Sequence, residues 1–354
     1  MNLFRPVASA LLLLLPACVR SELAPDALVQ LTGRVERPGG TGDASVEVVL
    51  SRSGGNLCSG GLTPFATATT DADGRYAFEL RGADTQAGDL ARCFRVAPAP
   101  AADGSATWAE QLLQVTRPEV PSLPRWPWNL AATQGAGGAQ VFSFEDLRAA
   151  QGAGNTRLQV KDPAGQVAWE VLAPVPGDAL DTALLEDFAG LRAQLELDRV
   201  MEGQKTSVDL ASRSADVSLP RGGRVAVSRG AACDFGGAAG CPLTDGALGR
   251  AGATADNLSV TLQLAGPVLP ADLVVHGLET STGATRMEVT GLTLAGAVVP
   301  LGSLEAGEPL GPYERTPLGS GGLPVVAITL RWLDRSGAGV PVTGLSELSV
   351  FEDP

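Results

Sequence analysis

The clearest structural signal in this chain lies in the segment Thr69–Leu80, whose sequence is TTDADGRYAFEL. Asp73-Gly74 predicts a tight hairpin turn, because glycine accepts the positive φ angle that such turns require. After the turn, apolar side chains alternate with polar or small ones, so that Tyr76 and Phe78 fall on the same face. This two-residue period predicts a β-strand with one buried face.

Two strand-like stretches precede this turn, and their order is informative. Leu31–Val35 (LTGRV) comes first, and Val46–Leu50 (VEVVL) follows it. Together with the turn and the strand after it, this order resembles the carboxypeptidase regulatory-like, or transthyretin-like, β-sandwich over residues 28–117. The resemblance implies a spacer or binding module that is attached to other domains.

The composition favours strands and turns along the whole chain. Among 354 residues there are 44 glycines and 25 prolines, and neither residue is well tolerated inside a helix. A chain of this length suggests two or three domains. We therefore predict an all-β protein with three tandem β-sandwich domains that follow a cleaved signal peptide.

A connector rich in Pro, Trp and Gly, residues 118–138, follows the first predicted domain. Trp126 and Trp128 lie on either side of a proline within it. An exposed aromatic pair could bind sugar, but tryptophan is highly buried on average, and we favour packing. The second predicted domain, residues 139–211, contains the alternating stretch Leu191–Leu197 and resembles a fibronectin type III-like or immunoglobulin-like sandwich.

The third predicted domain covers residues 212–354. It has an early Thr-Asp-Gly at 244–246, alternating strands near 258–264 and 326–332, and a final ELSVF at 347–351. These features, in this order, resemble the discoidin-like, galactose-binding β-sandwich. The resemblance implies a domain that binds ligands and does not catalyse a reaction.

That resemblance also implies two sites. Family members often hold a structural calcium near the Asp-Gly loop and the last strand, and the matching residues are Asp245 and Glu347; the alternative is a turn aspartate and a solvated glutamate. Calcium takes about six to eight oxygen ligands. Ligands dock on loops at one end of the sandwich, and the best such loop is Gly311–Arg315 (GPYER), where Tyr313 lies beside Arg315. The alternative is an ordinary Pro-bounded turn, which contains the same types of residue. We expect no required cofactor, and a structural calcium is the one ion that the resemblance implies.

The N-terminus has the pattern of an export signal. Arg5 precedes a short apolar run, Val7–Ala17, which Cys18 follows. A membrane-spanning helix needs about 20 apolar residues, so this run is too short to span and is typical of a secretory signal. Leu15 and Ala17 stand three residues and one residue before the cysteine, which resembles a bacterial lipoprotein cleavage site.

We therefore predict a signal peptide at 1–17 and a tether at 18–27 that is lipidated on Cys18. The alternatives are an ordinary signal cut elsewhere, for example after Ala24, or a chance cysteine. With the anchor, the chain is exported and lipid-anchored to a bacterial membrane, and it faces the periplasm or the cell exterior. Acyl chains would hold it there essentially permanently.

Four cysteines remain once Cys18 is set aside, namely Cys58, Cys93, Cys233 and Cys241. Export permits their oxidation. Of the three pairings that four cysteines allow, two local disulfides are the simplest, Cys58 with Cys93 and Cys233 with Cys241. A zinc site is disfavoured, because the chain has one histidine and no Cys-x-x-Cys pair.

Charge and residue inventory exclude several functions. Lys and Arg number 26 against 39 Asp and Glu, a net charge of −13 without a basic cluster, so nucleic acid is not expected as a partner. A Ser-His-Asp triad would need His276, the sole histidine, but the chain lacks a G-x-S-x-G elbow. We interpret His276 as structural, near the end of a strand.

The sequence thus predicts a non-enzymatic protein for binding or display at the cell envelope, with a glycan or an envelope protein as its partner. The alternative is an accessory subunit of an envelope assembly that contacts a protein. A hydrolase that uses a pair of carboxylates is a third class. However, a pair of carboxylates in a sequence does not identify such an enzyme unless the distance between them is known.

Overall fold

The computed structural model describes residues 23–56, 58, 61–88, 90–135, 139–145, 155–181, 188–202, 207–220, 223–234, 241–248, 258–278, 283–306, 309–311 and 313–352. The predicted signal peptide, Cys18 and the first part of the tether lie outside the described residues.

The described residues form β-strands and one turn of 3-10 helix at Gly82–Thr85, with no α-helix among them. This confirms the predicted all-β class. The strands in chain order are β1 Leu28–Glu36, β2 Glu47–Asn56, β3 Leu62–Thr69, β4 Arg75–Arg81, β5 Gln86–Ala87, β6 Leu90–Pro98, β7 Ala106–Leu112, β8 Leu123–Pro124, β9 Ala131–Gln134, β10 Gln140–Ser143, β11 Asn155–Lys161, β12 Val167–Leu172, β13 Ala179–Leu180, β14 Arg192–Glu202, β15 Ser207–Arg213, β16 Val217–Ser218, β17 Ala232–Cys233, β18 Ser259–Val268, β19 Pro270–His276, β20 Arg286–Thr293, β21 Val298–Glu305, β22 Tyr313–Pro317, β23 Val325–Leu333 and β24 Glu347–Glu352.

The chain divides into two compact units. Among the described residues, the first contains those from 23 to 100 together with Ala106–Trp126 and Arg199–Ala211. The second contains Ala101–Ser105, Pro127–Asp198 and Ser212–Pro354. The division of the chain into three domains therefore remains a prediction.

The first unit is a sandwich of two sheets. One sheet has the order β4-β1-β8, and the other includes the order β15-β7-β6-β2-β3. Alternate side chains from both sheets point inward, as the two-residue period predicts. Their buried core contains Val29, Leu31, Val48, Leu50, Phe78, Leu80, Phe94 and Val96.

The turn predicted at Asp73-Gly74 is present, but the predicted hairpin is wrong. Gly74 has a φ of 76°, and the Asp71 carboxylate accepts the backbone N–H groups of Asp73 at 2.9 Å and Arg75 at 2.8 Å. However, β4 pairs with β1, whereas β3 pairs with β2. The turn therefore carries the chain from one sheet to the other. Alternation specifies which face of a strand is buried but does not specify its partner strand.

The second unit contains several sheets. Residues in its N-terminal part form one sheet of order β13-β10-β9 and a run of order β12-β11-β14, to which β16 adds by pairing with β14. Its C-terminal part forms a five-stranded sheet of order β17-β18-β23-β20-β21 and a three-stranded sheet of order β22-β19-β24. Those two sheets enclose one core, with Val260, Leu262, Leu273, Val275, Val289, Ile328, Trp332, Leu348 and Val350 among its members.

The tryptophans of the predicted connector are packed rather than exposed. Trp126 and Trp128 are 6 % and 1 % exposed, and the indole N–H of Trp128 donates to the Ser212 hydroxyl at 3.1 Å. This confirms the packing interpretation. Among the described residues, no helix has the length and apolarity needed to cross a membrane.

Candidate functional site

Three residues that the sequence singled out for separate reasons lie side by side at one end of the three-stranded sheet. His276 is the last residue of β19, and it is paired with Tyr313 on β22 and with Glu347 on β24. We call this set the β19 row. Directly opposite residues on antiparallel strands have neighbouring side chains on the same face, so the sole histidine, the sugar candidate and the metal candidate share one location.

His276 is completely buried within the β19 row. Its ring meets Phe188 edge-on at 5.8 Å between centroids and lies 5.9 Å from the Tyr313 ring. Burial lowers the pKa of His276 to about 4, against a weaker opposing effect from the backbone of Val167. Neither ring nitrogen has a well-formed hydrogen bond among the described residues. The imidazole is therefore neutral at pH 7, and its surroundings are those of a core residue.

Tyr313 and Arg315 lie on strand β22 rather than in a loop, so the predicted binding loop is corrected. Tyr313 packs against a small cluster that contains Val274 and Phe351, and burial raises the pKa of its phenol to about 12. Arg315 is exposed, and its Nε donates to the Asp272 carboxylate at 3.0 Å. The tyrosine ring is thus used in packing and the guanidinium in an ion pair.

The Asp-Gly loop and the last strand do meet, as the calcium prediction requires. The backbone N–H of Gly246 lies 3.3 Å from both carboxylate oxygens of Glu347, which is fully buried. Asp245 is exposed, and its carboxylate accepts the backbone N–H of Ala247 at 2.9 Å. A Cβ atom added at Gly246 would overlap the guanidinium group of Arg229, so a positive charge already lies beside this loop.

Metal-ligand geometry is otherwise scarce in the described ranges. The only cluster there with three or more His, Cys, Asp or Glu ligand atoms consists of Cys58, Cys93 and Glu110. Its two cysteines are joined in a disulfide and do not offer thiolates. Calcium at Asp245 and Glu347 stays a prediction.

The structure contains two disulfides with the local pairing, Cys58–Cys93 and Cys233–Cys241. Disulfides form and persist in oxidising compartments. The two bonds therefore indicate an extracytoplasmic location for the folded chain.

Removing the shorter disulfide is expected to lower the free energy of unfolding by about 2 kcal/mol, because the bond closes a loop between residues eight apart and so restricts the unfolded chain. Urea denaturation of the double variant Cys233→Ala/Cys241→Ala measures this. Either single variant should match the double variant, since each removes the same bond. A single variant with full wild-type stability would contradict the assignment.

A buried carboxylate network was missed at the sequence level. Glu196, 3 % exposed, lies 2.8 Å from Lys161 Nζ, 3.1 Å from Arg157 Nε and 3.3 Å from Arg213 Nε. Burial alone would raise the pKa of Glu196, but the hydrogen bond from Lys161 and the three positive charges outweigh it and lower the pKa. The contacts depend on the register of β11 with β14, which places Arg157 opposite Glu196.

A second network lies in the first unit. The Asp43 carboxylate binds Arg37 Nε at 2.6 Å and Arg125 Nη1 at 3.0 Å. Burial would raise the pKa of Asp43, and the two arginines reverse that effect. Arg125 also donates to the carbonyl of Ala99 at 2.8 Å. Asp43 therefore fixes neighbouring segments and is not free to act as a base.

The comparisons with known proteins give weak similarities. No protein-family model matches the sequence, and no curated protein matches it either. Among solved structures, the family 32 carbohydrate-binding module of Streptococcus pneumoniae EndoD is 13 % identical, over 36 % of this chain and 99 % of that one, with a TM-score of 0.25. A DUF3823 family protein from Parabacteroides merdae is 16 % identical, over 55 % and 99 %, with a TM-score of 0.19. The shaft pilin SpaA of Lactobacillus rhamnosus GG is 9 % identical, over 55 % and 94 %, with a TM-score of 0.22. At these scores we draw no functional conclusion from the similarities.

Proposed function

We propose that this chain is a non-enzymatic binding or display protein of the bacterial cell envelope, held to a membrane by acyl chains on Cys18. The two disulfides support an oxidising location. In this proposal the strand-built units stand outside the cytosol and present a surface to a glycan. An accessory role that contacts an envelope protein is the second candidate.

The observation that supports a binding role over catalysis is the complete burial of His276. General acid–base catalysis needs a proton-transferring group within hydrogen-bond reach of the substrate. The chain's sole histidine is enclosed by Phe188 and Tyr313 instead. The buried carboxylates of Asp43 and Glu196 are likewise held in ion pairs that keep them ionised.

The anchor is tested by metabolic labelling with a fatty acid. We expect the wild-type chain to incorporate label and to sediment with membranes, and the variant Cys18→Ser to lose both properties. Label retained on Cys18→Ser would contradict the anchor.

The binding role is tested with a glycan array and with cross-linking of the intact envelope followed by pull-down. A glycan hit supports the first candidate, and a fixed protein partner supports the second. Turnover of a substrate that is abolished by one Asp or Glu substitution would contradict both and would favour a carboxylate-based hydrolase.

A further inference from the structure

The first unit has an open groove of about 500 Å³. Strands β1 and β4, the end of β3 and the segment near Glu119 form its walls. Its volume lies within the range of about 300–1,000 Å³ that is typical of small-molecule sites. The polar side chains that line it belong to Thr32, Arg34, Thr69, Asp71, Arg75, Tyr76 and Glu119.

The groove depends on a pairing between a glycine and a tyrosine. Gly33 on β1 lies opposite Tyr76 on β4, and a Cβ atom at Gly33 would overlap the phenol oxygen of Tyr76. The absence of a side chain at Gly33 thus lets the tyrosine ring lie across β1. Tyr76 is 4 % exposed, and its hydroxyl has no hydrogen-bond partner among the described residues. An unsatisfied buried hydroxyl is costly and calls for an explanation.

Two of the four charged residues in the groove are already engaged. Arg34 donates from Nη1 to the Glu36 carboxylate at 2.9 Å and from Nε to the carbonyl of Asp73 at 3.0 Å. The Asp71 carboxylate accepts backbone N–H groups in the turn. These groups hold the wall of the groove in place.

The other two charged side chains are available to a ligand. Arg75 and Glu119 are exposed, and neither side chain forms a hydrogen bond or an ion pair within the described part of the chain. Arg75 offers a cation with several N–H donors, and Glu119 offers an anion that accepts hydrogen bonds. These two available charges in the groove therefore balance each other. The hydroxyls of Thr32 and Thr69 add groups that both donate and accept.

We propose that this groove binds a neutral, hydroxyl-rich ligand, namely a saccharide unit. Balanced free charge gives no preference for an anion or a cation, whereas sugar hydroxyls donate to a carboxylate and accept from a guanidinium at the same time. The aromatic ring of Tyr76 supplies an apolar wall beside these polar groups, as small-molecule sites usually have. This inference rests on the proposed binding function and assigns it a location and a ligand class.

The test is isothermal titration calorimetry of the purified full chain with neutral mono- and disaccharides, glucuronic acid and glucosamine. We expect neutral sugars to bind more tightly than either charged sugar. Arg75→Gln and Glu119→Gln should each weaken that binding about tenfold, since each removes a charge-assisted hydrogen bond. Tyr76→Phe keeps the ring and should not lower the melting temperature, because its buried hydroxyl has no hydrogen-bond partner among the described residues.

Arg81→Gln and Glu79→Gln are matched controls, because both residues are exposed on the same strand but do not line this groove. The proposal is overturned if Arg75→Gln and Glu119→Gln both bind like wild type, or if the controls weaken binding equally. In the first case the glycan function stands and only the location fails. A preference for glucuronic acid or glucosamine overturns the ligand class. If no saccharide binds and an envelope protein is captured instead, the groove proposal fails while the binding function stands.

Discussion

Lowering the pH from 7.5 to 5 is expected to reduce the free energy of unfolding by about 2 kcal/mol through one residue, His276. Burial lowers its pKa to about 4 in the folded chain, whereas an exposed histidine in the unfolded chain has a pKa near 6.5. Below pH 6.5 the unfolded state therefore binds a proton that the folded state excludes. The full effect is reached only below pH 4 and corresponds to about 3 kcal/mol.

The measurement is urea denaturation at a series of pH values for the wild type and for His276→Gln. The variant should lose this component of the pH dependence, because no other histidine is present in the chain. Comparing the two proteins also removes the effect of Glu314, whose pKa is raised by burial and which acts with the opposite sign in this window. Equal pH dependence of the two proteins would show that His276 is solvated.

The predicted pH interval ends at pH 5, because two buried carboxylates contribute to the pH dependence below it. Asp43 and Glu196 have lowered pKa values in the folded chain. Carboxylates of this kind stabilise the fold above their unfolded pKa values, which lie near 4, and that contribution is lost as the pH falls further. Below pH 5 the histidine and carboxylate effects would overlap.

Gly74→Ala is expected to lower the free energy of unfolding by about 3 to 4 kcal/mol. Gly74 has a φ of 76°, a conformation that costs an L-residue about 1–2 kcal/mol. An added Cβ would also overlap the carbonyl oxygen of Val35 and lie 2.7 Å from the amide nitrogen of Asp43. Both are backbone atoms that cannot rotate away, and overpacking of this kind costs about 1–3 kcal/mol more.

Gly39→Ala is the matched control for this substitution. Gly39 also has a positive φ, 90°, but an added Cβ there has no neighbour within 4 Å. The control should therefore lose only the backbone part of the effect, about 1 kcal/mol. The midpoint of urea denaturation measures both variants. Equal losses of stability in Gly74→Ala and Gly39→Ala would mean that the backbone at Val35 and Asp43 does not pack closely against Gly74.

The strands and their buried faces could be predicted from the sequence, because alternation is a local property. The stretch near 258–264 is part of β18, and Val260 and Leu262 are buried as the two-residue period requires. The same argument predicted β4 and the burial of Phe78. The prediction of a loop at Gly311–Arg315 failed, because proline and glycine mark turns only statistically and β22 begins among these residues.

The candidate site depended on information that no local pattern contains. His276, Tyr313 and Glu347 form one row only because β22 and β24 pair with β19 in a particular register. A shift of one residue would turn each side chain to the opposite face. The network around Glu196 and the groove beside Tyr76 have the same origin.

Composition and alternation were enough to establish that this chain is built from strands and which faces of those strands are apolar. The positions of the cysteines in the sequence predicted the two local disulfides. Only the folded structure decided that β4 pairs with β1 instead of β3, and that the sole histidine is enclosed by aromatic rings. The physical reason is that strand alternation arises from each residue's own backbone geometry. The partner and the register of a strand depend on packing between residues that are distant in sequence. The free energy of that packing depends on the whole core.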